Sequence, residues 1–90
     1  MQVSIEISLY PLKDGYKADI HAFLDSLKAI DGIEVQTNPL STHLFGDYDL
    51  VMTELTQAMK QQQETYGQSL FTLKIIPWDR RTSKFARTDV

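Results

Sequence analysis

Residues 3–10 change character at every step: Val3, Ile5, Ile7 and Leu9 alternate with Ser4, Glu6, Ser8 and Tyr10. A period of two marks a strand with one dry face and one wet face. Such a strand cannot stand alone, because its dry face must be covered by other elements. Pro11 stops it, and Asp14-Gly15 is a turn signal. The period then switches. Ile20, Phe23, Leu24, Leu27 and Ile30 recur at spacings of three and four, one apolar stripe on a helix. Gly32 stands where a helix commonly ends in a left-handed residue.

The pattern predicts a second strand over 33–38, closed by Pro39, and a third over about 41–45 after a link of a couple of residues. Gly46-Asp47 opens a second helix, with Asp47 as a good N-cap and Asp49 suited to the positive end of the helix dipole. Val51, Met52, Leu55 and Met59 form its buried stripe, and residues 60–66 are its polar exit before Gly67. A last strand covers 70–76 and stops at Pro77. Strand, helix, strand, strand, helix, strand is the split βαβ order of a ferredoxin-like α+β domain, an antiparallel sheet with both helices on one face. Ser4, Glu6, Ser8 and Tyr10 then lie on the open face with Glu34, Gln36, Asn38, His43, Phe45, Thr72, Lys74 and Ile76. A face half polar and half apolar is one on which subunits stack, so a homo-oligomer, dimer or tetramer, is expected.

Ninety residues make a single domain at the small end of the range, here placed over 1–78 and followed by a basic tail over 79–90. So small a chain cannot easily hold both a full core and a deep pocket, and a pocket shared with a second subunit would help. Without cysteine there is no disulfide, thiolate metal site or cysteine nucleophile. The N-terminal run has no basic start before an apolar stretch, and no segment approaches the ~20 apolar residues of a membrane span. The expected location is therefore cytoplasmic, without a membrane partner.

The net charge of −3 is unevenly distributed. Acids dominate to Leu73, whereas Lys74, Arg80, Arg81, Lys84 and Arg87 reverse the balance against Asp79 and Asp89. An acidic body disfavours nucleic acid, which needs a clustered basic face. The tail itself reads as solvated or subunit-docking, with an RNA-binding arm as the other reading.

Thr37-Asn38-Pro39-Leu40-Ser41-Thr42 is the densest cluster of uncharged hydrogen-bonding side chains. Two readings stand side by side. Asn, Pro, Ser and Thr are the stock residues of a tight turn. Thr37 and Thr42, however, fall on the side that carries Val35 and Leu44, where a polar group wants a partner or a ligand. The helix start after this corner would normally suit an anion, but Asp47 and Asp49 occupy it. A cationic or amino-bearing ligand fits better than a phosphate. Asn38 or Gln36 can grip an amide-like edge as such side chains grip adenine, and Glu6 can accept from a heterocycle. His21 lies off the apolar stripe. His43 has no triad or metal spacing around it, so neither catalytic residue nor metal ligand is assigned. Tyr10, Phe45, Tyr48 and Trp78 can stack on a flat ring or simply pack.

Three segments carry a family resemblance: Val3-Ser-Ile-Glu-Ile-Ser-Leu-Tyr-Pro-Leu12, Glu34-Val-Gln-Thr-Asn-Pro-Leu-Ser-Thr42 and Gly46-Asp-Tyr-Asp-Leu-Val-Met52. In this order and spacing the chain resembles the small proteins that bind thiamine or its hydroxymethylpyrimidine half, over nearly its whole length to about Pro77. The resemblance implies a ferredoxin-like fold, dimers or tetramers joined through their sheets, and binding without catalysis or cofactor. It carries a ligand role to Thr37, Asn38, Ser41 and Thr42, and further to Glu6, Ser8 and Asp47. Nothing after Trp78 matches. Two other readings compete: a regulatory or assembly module of the same fold, and a cofactor-free enzyme with His43 or Glu6 as general base.

Overall fold

The computed structural model describes residues 1–12 and 17–81. The elements are β1 (Gln2–Pro11), α1 (Lys17–Lys28), β2 (Ile33–Thr37), β3 (Thr42–Asp47), α2 (Tyr48–Tyr66) and β4 (Ser69–Ile76). All strand pairs are antiparallel, in the order β2-β3-β1-β4. This is the ferredoxin-like α+β arrangement that the alternation and the two stripes predict. The Asp14-Gly15 turn lies outside the described residues, as does the tail from residue 82. Among the described residues no helix is long and apolar enough to cross a membrane.

The register confirms the two faces. Ser4, Glu6 and Ser8 pair with Ile76, Lys74 and Thr72 on one side, and Ser4 and Glu6 with Phe45 and His43 on the other. Phe45 and His43 pair in turn with Glu34 and Gln36. The opposite face holds the core, where Val3, Ile5, Ile7 and Leu44 meet Phe23 and Leu27 of α1 and Val51, Leu55 and Ala58 of α2. Each of these side chains larger than Ala58 contributes about 1.5–3 kcal/mol by leaving water. Met52 and Met59 pack against its edge. One polar pair joins the helices: Gln62, only 3% exposed, donates from Nε2 to the Asp19 carbonyl at 3.2 Å.

Two glycines fix the approach of β2, β3 and α2. Gly32 takes φ +95°, the left-handed conformation expected after α1. A Cβ on Gly46 would lie 2.6 Å from the Gly32 carbonyl oxygen and 3.0 Å from Val51 Cγ2, so only glycine lets the chain pass there. Asp47 caps α2, accepting from Leu50 N–H at 3.2 Å.

β3 runs on to Asp47 instead of ending at Phe45, because Gly46 and Asp47 pair with Val3 and Gln2 of β1. After β4 the chain turns back across the open face. The Ser4 hydroxyl donates to the Trp78 carbonyl at 2.8 Å and accepts from Arg80 N–H at 2.9 Å. Arg80 and Arg81, within the basic tail expected over 79–90, thus bond to Ser4 and Glu34 of the sheet.

Candidate functional site

The corner between β2 and β3 is a four-residue reversal built on Asn38. Asn38 N–H donates to the Ser41 carbonyl at 3.1 Å. The Asn38 carboxamide oxygen accepts from Leu40 N–H at 2.9 Å and Ser41 N–H at 3.0 Å. Pro39 follows with its φ already restricted. Both lone pairs of the amide oxygen are engaged, so only the two N–H donors of Asn38 face outward. The adenine-like grip expected of Asn38 needs the oxygen as acceptor, and the turn has taken it.

Between this corner, the far half of β1 and the first turns of α1 lies a cavity of about 260 Å³. Ile7, Leu9, Ile20, Phe23 and Leu24 give it apolar walls, and Pro39 and Leu40 form the lip. Leu40 is 89% exposed, unusual for a leucine. Its polar lining includes Ser8, Asn38, Ser41 and Thr42. Apolar walls with a few polar residues at the rim suit a small ring bearing polar substituents.

Four of the seven site residues expected from the sequence therefore meet at one cavity: Ser8, Asn38, Ser41 and Thr42. The other three do not line it. Thr37 pairs with Thr42 across the ladder and is exposed, outside the cavity lining. Glu6 lies on the open face and reaches the corner through Ser41. Asp47 stands at the opposite end of β3, roughly 17 Å away at about 3.3 Å per residue. There it caps α2 and lies 3.8 Å from the amino group of Met1. The expectation that the acidic helix start flanks the corner is corrected accordingly, because β3 separates the two.

On the open face Glu6 gathers three neighbours. The Ser41 hydroxyl donates to Glu6 Oε2 at 3.1 Å, His43 Nε2 lies 3.4 Å from the same oxygen, and Lys74 Nζ lies 3.7 Å from Oε1. The Ser41 bond, with help from Lys74 and His43, holds the Glu6 carboxyl below its ordinary range. His43 Nε2 is also 3.2 Å from the Ser41 oxygen. Hydroxyl and carboxylate thus meet the same ring nitrogen, whereas a nucleophilic triad puts them on opposite ones. His43 also meets the Phe45 ring edge-on, with centroids 6.4 Å apart.

The segment 77–81 that follows β4 forms a strap, and at its end Arg81 donates to Asp79 at 2.8 and 3.0 Å and to Glu34 Oε1 at 3.1 Å. Its guanidinium lies 5.3 Å from the centroid of the Phe45 ring. The bonds to Asp79 and Glu34 hold Arg81 more firmly protonated than usual. Arg81 lowers the Asp79 carboxyl, and Gln36 and then Arg81 lower that of Glu34. No local pattern signals this latch. The one sequence sign was the reversal of charge after Leu73.

The fold and cavity define a small ferredoxin-like α+β domain with a ring-sized cleft beside its β2–β3 corner. Its overall shape is shared with several solved structures. A protein of Streptococcus pneumoniae matches with TM-score 0.79 and 23% identity, over 91% of this chain and 92% of that one. A hypothetical protein of Methanocaldococcus jannaschii matches with TM-score 0.73 and 24% identity, over 97% and 91%. A Thermotoga maritima structure named "putative thiamine biosynthesis/salvage protein" matches with TM-score 0.73 and 14% identity, over 88% and 85%. At these identities the likeness establishes the fold. No family model matches the chain, and no curated protein does.

Proposed function

We propose that this chain binds thiamine or its hydroxymethylpyrimidine half without catalysis, as an intracellular carrier, buffer or sensor, and works as a homo-oligomer joined through its open sheet faces. The observation that carries the reading is the corner cavity, in which apolar walls flank Ser8, Asn38, Ser41 and Thr42. An aminopyrimidine presents a flat ring to those walls and an amino group and ring nitrogens to the hydroxyls and the Asn38 N–H groups. Glu6, held ionised, acts on the ligand through Ser41. No lysine or arginine is among the described residues that line the cavity, so thiamine and the free pyrimidine bind better than the diphosphate. The name of the Thermotoga maritima neighbour points the same way.

Thermal-shift and calorimetric titration with thiamine, hydroxymethylpyrimidine and thiamine diphosphate test this. Saturation at ~100 times Kd adds about 2.7 kcal/mol of stability. The diphosphate binding tightest, or none of the three binding, overturns it. A second reading, an assembly module of the same fold with another ligand or none, is favoured by one observation: the Asn38 amide oxygen already serves the turn. That reading expects no shift with thiamine and tolerance of Asn38→Ala combined with Thr42→Ala.

A further inference from the structure

β1 outruns β3. The two pair from Gln2↔Asp47 to Ile7↔Thr42, whereas β1 stays paired with β4 as far as Pro11. Along a strand, the main-chain groups of successive residues point to opposite neighbours. Hydrogen bonds just beyond the two ends of β1 fix which residues point which way. Tyr48 N–H donates to the Met1 carbonyl at 2.8 Å, so odd-numbered residues face β3. Leu12 N–H donates to the Gln68 carbonyl at 3.1 Å, so even-numbered residues face β4. Leu9 therefore turns its N–H and carbonyl toward the side on which β3 has already ended. Continuing the register would set Leu40 opposite Leu9, but Leu40 N–H is held by the Asn38 carboxamide oxygen at 2.9 Å. Among the described residues no other hydrogen bond takes its place on the Leu9 main chain. Leu9 and Leu40 both line the corner cavity.

We propose that the Leu9 main chain is the ligand-reading edge of the corner cavity. Its N–H and carbonyl together take a planar small molecule that presents an acceptor beside an N–H donor, as an amidine or an amino-substituted nitrogen ring does. This rests on the aminopyrimidine binding proposed above and deepens it: the amino group donates to the Leu9 carbonyl, and the adjoining ring nitrogen accepts from the Leu9 N–H. A main-chain donor and acceptor beside apolar walls calls for partners. The pair is also held in place before any ligand arrives, because Ser8 and Tyr10 on either side are paired with Thr72 and Leu70 of β4. An added peptide strand suits the edge poorly. The next residue facing the same side is Pro11, which has no N–H to give, so the edge offers one donor where a ladder needs several. Asn38 is then a positioning residue as well as a turn former. By holding Leu40 out of register, its oxygen keeps the Leu9 edge open.

Amide NMR on the full chain tests this with and without a ligand. In the free chain the Leu9 amide is expected to exchange about tenfold faster than those of Ile7 and Ser8, which the two ladders hold. Two isomeric probes then separate edge recognition from ring size. In ortho-aminopyridine the amino group adjoins the ring nitrogen, and in meta-aminopyridine it does not. At millimolar concentration the ortho isomer is expected to shift the Leu9 amide resonance and slow its exchange, and the meta isomer to leave both unmoved. Hydroxymethylpyrimidine is expected to act as the ortho isomer does, at lower concentration. Replacing Leu9 by its α-hydroxy acid counterpart keeps the side chain and deletes the N–H. It is expected to weaken hydroxymethylpyrimidine about tenfold, one hydrogen bond's worth. A Leu9 amide as protected as its neighbours in the free chain overturns the open edge. Hydroxymethylpyrimidine binding with the Leu9 amide unmoved, or equal effects of the two isomers, overturns the assignment while the proposed binding stands. The ortho isomer acting on Leu9 while neither hydroxymethylpyrimidine nor thiamine binds overturns the proposed ligand and leaves the edge standing.

Discussion

The Ser41 hydroxyl donates to Glu6 Oε2 at 3.1 Å and thereby joins the lip of the corner cavity to the open face of the sheet. Ser41 lies in the corner before β3 and Glu6 in β1, 35 positions apart in sequence. Ser41→Ala removes this link and leaves the backbone of the turn intact. The expected loss is about 1 kcal/mol, the net worth of one ordinary hydrogen bond. The Glu6 carboxyl is expected to titrate closer to its ordinary range, since the Ser41 bond is the main cause of its lowering. Carboxyl NMR across an acid titration reads this directly, and an unmoved Glu6 would contradict the geometry.

Asn38 allows its turn role to be separated from any ligand role. Asn38→Ala leaves Leu40 N–H and Ser41 N–H without their acceptor, at a cost of about 1–2 kcal/mol in chemical denaturation, comparable to losing a helix cap. Asn38→Asp keeps an oxygen for both and removes the outward N–H donors. It is expected to hold stability within about 0.5 kcal/mol while weakening thiamine binding about tenfold, one good hydrogen bond's worth. Equal affinity in the two proteins would release Asn38 from the ligand.

The strap is expected to open in acid. Asp79 and Glu34 titrate below their ordinary range in the folded chain, so they bind fewer protons folded than unfolded. Their contribution is fully present above the ordinary carboxylate range and is lost as pH falls through the lowered values. Arg81, with its pKa raised, stays charged throughout. Trp78, the only tryptophan, gives a fluorescence readout, with steady emission from neutral into mildly acidic conditions and a change below them. The change is expected at higher pH in Arg81→Ala and at higher pH in concentrated salt, because exposed pairs are screened. Emission indifferent to both would show that Arg81 does not hold the strap.

Gly46→Ala is expected to be the most damaging single-carbon addition in the sheet. The new methyl would meet the Gly32 carbonyl oxygen at 2.6 Å, and that atom is backbone, which cannot swing aside. A loss of more than about 2 kcal/mol is expected, within the range for overpacking a tight site. Gly67→Ala makes a useful comparison. No atom lies within 4 Å of a Cβ there, so the strain of φ +92° is its main cost, expected near 1 kcal/mol. Equal melting points for the two variants would refute the ranking.

The sheet and both helices were legible because each announces itself locally. Val3, Ile5, Ile7 and Leu9 state a period of two, and Phe23, Leu24 and Leu27 state a helical stripe. The corner was legible as a place, but only in part as chemistry. Asn38 suits a turn and a ligand equally well by composition, and only the folded chain shows its amide oxygen engaged by the N–H groups of Leu40 and Ser41. In the sequence β3 reads as ending at Phe45, which puts Asp47 beside the corner; pairing of Gly46 and Asp47 with β1 carries the helix start away. Thr37 reads as buried by alternation, yet it sits at the end of edge strand β2, where the helices no longer cover it. The strap left almost no trace. Its bonds join Ser4 to Trp78 and Arg80, 74 and 76 positions away, and such closures leave no period to read.

That closure bears on how the chain is made as well as on how it stands. β1 precedes the other three strands in chain order, yet it lies between β3 and β4, and among the described residues the Ser4 hydroxyl bonds to Trp78 and Arg80, which follow β4. β1 must therefore wait, half-paired and with one ladder edge open, until β4 and the residues after it have been released. Long-range closures of this kind slow folding and prolong exposure of unpaired edges. A nascent chain halted within β4 would present β1 as a strand in search of a neighbour, a form for chaperones to hold until the remaining residues arrive.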